Sequence, residues 1–226
     1  MLDEATIASG ADLGMDKPFS FWVHGRAGVL GEVHADVATA AIAFVAPDMV
    51  ADLWENNAPS ISPLARSQQY AAAAGRWADR VFADVDAAEL ERVTELSARV
   101  VLLADASLGV LFAGWRQITL PETPAGAAAV ALNAVREMRG GAHIMAVHAV
   151  GLGPHGAIMS TVDPVRGGVA GSERFGWGDP HPAPDAEKRT NAEILTTLMA
   201  SHPFDVLNES ERGEYVELVA KLRTFL

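Results

Sequence analysis

Two short stretches set ionisable side chains among bulky apolar ones, and the chemistry of the chain is sought there first. In Phe21-Trp22-Val23-His24-Gly25-Arg26-Ala27-Gly28-Val29-Leu30-Gly31 an imidazole and a guanidinium sit between large apolar groups, with three glycines that admit close backbone approach or positive φ. In the second stretch, Asn133 to His148, a helix advancing ~100° per residue gathers Arg136, Arg139 and His143 into one sector. Arg139 and His143, four residues apart, are immediate neighbours there. The rest of this helix is Ala, Val, Leu, Ile and Met, so the cationic face is expected to be partly buried, and buried cations require anions. Carboxylates from other helices, such as Asp48, Asp52 or Asp105, would make the face structural. A bound carboxylate or other oxyanion would make it a pocket. Arg26, Arg136 and Arg139 would then hold the anion, Trp22 would line the site, and His143 would exchange protons with His24, His148 or Glu137 as further acid-base groups.

Other chemistries lack their residues. His143 and His148 are five apart and point to different sides of a continuous helix, and Glu137, His24 or His155 could join them only through tertiary contact, so no metal site is expected. Gly25, Gly28 and Gly31 do not form a GxGxxG and follow no strand. No G-x-S-x-G elbow, phosphate-binding loop or kinase set occurs. No cofactor can be named. His34, His181 and His202 lie beside helix ends or prolines and read as solvated.

The elements that position these residues are helical. Apolar spacing from Val33 to Asn57 indicates two helices with a bend at Pro47. Ser62-Pro63 opens an Ala-rich helix to about Val85, and Asp86 with Glu89 opens one carrying Leu90, Val93, Leu96, Val100 and Leu103. Leu108 to Trp115 fits a short helix or a buried strand equally. Thr123-Pro124 opens the longest element, to about Leu152, with Gly140-Gly141 in its middle. Asp185 and Asn208 open the last two helices. From Gly153 to Pro184 the chain is rich in Gly and Pro, which indicates a long loop, and its part from Asp163 to Pro184 an arm or lid. Phe175 or Trp177 is expected to pack beside the 133–148 helix, and Trp177 to close the pocket. The sum is an all-α bundle of seven or eight helices, read as one helical domain over 1–226, with its long Gly/Pro-rich loop near 163–184.

Composition sets outer bounds. The 226 residues are 50% hydrophobic and 20% charged, which suits a packed core and excludes a disordered chain. A net charge of −12 repels nucleic acid and anionic membranes, so nucleic acid is not expected as a partner. No cysteine is present, which removes disulfides and thiolate chemistry. Met1-Leu2-Asp3-Glu4 is acidic where a secretory signal is basic, and no apolar run has the length of a membrane span, so a cytoplasmic protein is expected.

Phe21 to Trp54, with Gly25-Arg26-Ala27, Leu30-Gly31, Phe44, Pro47 and Trp54, resembles the N-terminal signature of a family of largely uncharacterised actinobacterial helical proteins that usually carry a C-terminal helix-turn-helix. Leu120 to Leu152 resembles its second signature, which reads like L-R-E-H-R-G-D-G-H. Here Met138 replaces a histidine, and Gly141-Ala142 replace Asp-Gly. The resemblance implies that Arg26, Arg136, Glu137, Arg139 and His143 are the family-type polar positions. It also implies that the DNA-reading module is shortened or lost, since residues 163–184 stand where it would be, while Asn191 to Leu226 resembles the closing helices.

The favoured reading is a small-molecule-binding helical protein, with an enzyme of secondary or accessory metabolism acting on an anionic or polar substrate as its catalytic form. Two alternatives stand beside it. One is a ligand-sensing relative of transcription regulators with a reduced DNA-binding module, for which Lys188-Arg189 and Lys221-Arg223 are the local basic candidates. The other is a non-catalytic interaction module, a homodimer through the Ala-rich helix 64–85.

Overall fold

Helix starts written into the sequence set the frame. The computed structural model describes residues 4–226; Met1, Leu2 and Asp3, part of the acidic start noted above, lie outside the described residues. Among the described residues there are twelve α-helices and no strand. They are α1 (Glu4–Ala11), α2 (Ser20–Ala27), α3 (Ala35–Ile42), α4 (Pro47–Asn56), α5 (Pro63–Val81), α6 (Ala87–Leu103), α7 (Val110–Trp115), α8 (Pro124–Ala149), α9 (Gly153–Met159), α10 (Gly168–Arg174), α11 (Ala186–Ser201) and α12 (Glu209–Arg223). None is long and apolar enough to cross a membrane.

The long helices begin at caps. Ser62 accepts from the Ala65 amide, Asp86 from Ala88, Thr123 from Gly126 and Asp185 from Lys188, each satisfying an amide that the first turn leaves without a partner. Asn208 and Glu211 form a reciprocal capping box on α12. Pro63 and Pro124 occupy first-turn positions, where a missing N–H costs nothing.

The all-α class holds, but twelve helices replace the seven or eight expected. The additional ones are short. The stretch 21–31 holds most of α2 followed by a 3-10 turn over 28–30, and Val110–Trp115 settles as a helix. The Gly/Pro-rich segment 153–184 contains α9 and α10, seven residues each. Segments of one or two turns carry too few apolar positions to show a period, and tertiary packing stabilises them instead.

Helix α8, 26 residues and ~39 Å long, is the spine, packing against α5, α6, α7 and α11. Its first turns join Ala125 and Ala128 to Leu90, Val93 and Phe82, and its middle joins Met138 to Leu96, Val100 and Phe112. Its last turns pack Ala146 and Val147 on Ala157 and Ala192. A separate core lies around α2, α4 and α5, with Val23, Ile42, Val50, Trp54 and Tyr70. Glycines let α2 into it: a Cβ on Gly25 would lie 2.4 Å from Tyr70, and one on Gly28 would lie 2.1 Å from the Pro63 carbonyl.

Candidate functional site

Arg26, Arg136 and Glu137 meet between α2 and α8. Arg26 stands in the last turn of α2, whose backbone there is pinned by the Trp115 indole N–H donating to the Arg26 carbonyl at 2.9 Å. Its guanidinium lies 5.1 Å from the centre of the half-buried Trp22 ring and grips Glu137 with two bonds, Nε to Oε1 and Nη2 to Oε2, both 2.8 Å. Arg136 adds Nη1 to Oε1 at 2.7 Å. The Glu137 side chain is 1% exposed. Burial alone would raise its carboxyl, but the two guanidiniums outweigh burial and hold it below its ordinary value. The buried Tyr70 hydroxyl lies within electrostatic reach of all three and has no hydrogen-bond partner among the described residues.

Beside the pair lies a cavity of about 180 Å³ between α2, α3, α7 and α8. Arg26, Glu137 and Gly140 form its polar wall, and Ala40, Ala41, Leu108, Val110, Leu111, Ile144 and Met145 supply apolar surface. Gly140 and Gly141 do not interrupt α8. The segment 108–109 crosses over Gly141, where a Cβ would lie 2.0 Å from the Leu108 carbonyl oxygen.

Arg139 and His143 form a second cluster with α11. Arg139 bonds Glu193 at 2.6 Å, and Glu193 bonds Arg189 at 2.6 Å. Arg189 Nη1 donates to His143 Nε2 at 2.9 Å. The Thr196 hydroxyl donates to the Ala192 carbonyl, so its oxygen accepts from His143 Nδ1–H at 2.8 Å. These bonds define a neutral imidazole with both nitrogens engaged, stacked 5.5 Å from the Phe44 ring. Burial first, then the cations Arg189 and Arg139, push its pKa down to about 4 against the pull of Glu193.

His24 repeats the design elsewhere. It is fully buried, donates from Nε2 to the Leu53 carbonyl at 2.9 Å, accepts at Nδ1 from Arg66 at 3.2 Å and stacks 5.1 Å from Trp54. Burial and Arg66 push it down to about 4. The sector read as one face therefore divides: Arg136 turns to Glu137, while Arg139 and His143 serve α11. His24 faces α4 and α5, and His148 is exposed on α8. The anions are Glu137 and Glu193 and not Asp48, Asp52 or Asp105; Asp52 instead bonds Lys17 at 2.9 Å.

The arm is ordered and attached through its aromatics. Phe175 packs 6.1 Å from Phe19, and its carbonyl accepts from the Ala46 amide. Trp177 stacks 4.6 Å from His155 and donates Nε1–H to the Phe44 carbonyl at 3.1 Å, next to the ring that covers His143. His181, read as solvated, bonds His155 at 3.1 Å and is largely buried. Residue 43 positions Phe44 through a turn of positive φ, with Ala43 at φ 59° and the Phe44 amide bonded to the Ile42 carbonyl at 2.8 Å.

A profile described as a helix-turn-helix family matches residues 2–188. The chain belongs to that helix-turn-helix family. The match runs from the N-terminal segment into the first turn of α11, so it includes both ionic clusters' α8 residues. No curated protein and no solved structure matches the chain.

Sequence reasoning missed Glu193, Arg189, Thr196, Arg66 and Tyr70 as partners. The cap at Asp185 marks the start of α11 but not the helix it packs against, and nothing local marked Tyr70. Among the described residues no cluster of His, Asp and Glu could hold a metal ion.

Proposed function

We propose that the protein is a ligand-sensing relative of helix-turn-helix regulators whose own helices do not read DNA. The observation that carries this is the α3–α4 pair. Its four-residue connection, 43–46, has the length of a helix-turn-helix link, yet the second helix carries Asp48, Asp52 and Glu55 and no basic residue. A recognition helix must approach phosphates, and carboxylates there oppose it. Three of the four local basic candidates are also engaged, since Lys221 bonds Glu89, Arg189 bonds Glu193 and Lys188 lies 3.7 Å from Asp185, while Arg223 is exposed. The cavity against Arg26 and Glu137 is the ligand chamber in this reading, because a concave apolar space with a few convergent polar groups is the usual form of a small-molecule site.

Mixed-sequence duplex DNA at about 50 mM salt tests the first half, since even non-specific binding emerges at low ionic strength. No mobility shift is the expected result. A shift that weakens steeply with added salt would overturn the reading and make the chain a DNA binder.

A further inference from the structure

Gly140 and Gly141 are neighbours in α8 with opposite reasons to be glycine. At 141 a side chain would strike backbone. At 140 a Cβ would meet nothing nearer than Glu137 Oε2 at 3.9 Å and Arg26 Nη2 at 4.0 Å, which is ordinary contact. Alanine would fit there and would strengthen a mid-helix position. Glycine at 140 instead leaves open space against two buried charged groups, and that space belongs to the cavity.

We propose that this notch recognises the polar end of a small, mainly apolar molecule, an end that presents a hydrogen-bond donor and an acceptor side by side, as a carboxamide does. The inference rests on the reading of the cavity as a ligand chamber. Glu137 Oε1 already accepts from Arg26 Nε and Arg136 Nη1, whereas Oε2, among the described residues, accepts from Arg26 Nη2 alone and keeps a lone pair for a ligand donor. Arg26 Nη2 uses one N–H on Glu137 and keeps the second for a ligand acceptor. A carboxylate has no donor to offer Glu137 Oε2, and an ammonium has no acceptor to offer Arg26 Nη2, so a neutral group with both functions fits best. The apolar remainder of the ligand lies against Ala40, Ala41, Val110, Leu111, Ile144 and Met145. An apolar cavity of about 150 Å³ takes benzene, so this one has room for a ring and an amide.

The test is calorimetric titration of the full chain and its Gly140→Ala variant with benzamide, benzoate and toluene. Benzamide is expected to saturate the wild type and to bind about tenfold more tightly than either other probe. Gly140→Ala is expected to melt no lower than the wild type, to weaken benzamide about tenfold and to change toluene less. Benzamide and toluene binding alike, benzoate binding best, or a variant that binds benzamide unchanged would each overturn the notch while leaving the chamber standing. No binding of any probe at millimolar concentration would overturn both.

Discussion

Two of the places where arginine meets glutamate have opposite surroundings. Between α6 and α12, Arg92 bonds Glu214 at 2.8 Å and Arg99 bonds Glu211, on a surface where both acids lie below their ordinary pKa because arginine donates to them. Between α2 and α8, Arg26 bonds Glu137 with both charges out of water. Losing one surface partner returns the other to solvent, whereas losing one buried partner strands a charge. A buried pair is also often no more stabilising than apolar side chains of the same volume. In the proposed reading, its place at a cavity wall serves recognition and not stability.

The largest effect should come from breaking the buried pair. Glu137→Ala is expected to destabilise by about 3–5 kcal/mol in chemical denaturation. The Arg26→Met/Glu137→Met double variant should recover most of that loss; if it does not, the pair contributes to stability in its own right and the contrast with the surface network weakens.

Acid should next separate the buried histidines from the surface. His24 and His143 have folded pKa values of about 4, below the ordinary 6.5, so the unfolded chain takes up protons first as pH falls. Their stabilisation is complete above about pH 6.5 and is lost on descent to about pH 4. Over that window the wild type should lose about 2–3 kcal/mol more than His143→Gln, read from unfolding midpoints in buffers across the range. Equal losses would show that His143 takes up its proton as readily in the folded protein as in the unfolded chain.

The two glycines should respond with opposite signs. Gly141→Ala, forced against the Leu108 carbonyl, should cost roughly 1–3 kcal/mol, while Gly140→Ala should gain about 1 kcal/mol from helix propensity. Thermal melts of the two variants decide this, and a loss at Gly140 would mean that its space is needed for packing. The smallest effect belongs to Arg99→Ala. Its change in denaturation midpoint should be well below that of Glu137→Ala and should fade between about 50 and 500 mM salt. A large, salt-insensitive loss would erase the distinction between the two arginine clusters.

Much of this architecture is legible in one dimension because its causes are local. Ser62, Asp86, Thr123, Asp185 and Asn208 mark helix starts by bonds that span at most three residues, and the apolar period of α5, α6 and α8 shows which faces turn inward. Some of the ionisable residues that end up buried were also visible, since Arg26, Glu137 and His143 interrupt apolar surroundings, whereas Arg66 and Tyr70 were not. The short helices α9 and α10 were not, because seven residues rich in glycine have no propensity or period of their own, and their order comes from contacts such as Trp177 with His155 and Phe44.

Partner choice is what the sequence could not contain. Arg136, Arg139 and His143 share a helical sector, so their common face followed from the 100° step of the helix. That Arg136 joins Arg26 at Glu137 while Arg139 and His143 join Glu193 follows from α2 and α11 reaching α8 at different heights, brought there from 111 and 54 residues away along the chain. The sequence by itself determined a helical fold with a few buried charges. Tertiary packing decided which charges meet, and it left space beside Gly140, because close approach of helices depends on side-chain volumes summed across distant segments and not on any local preference.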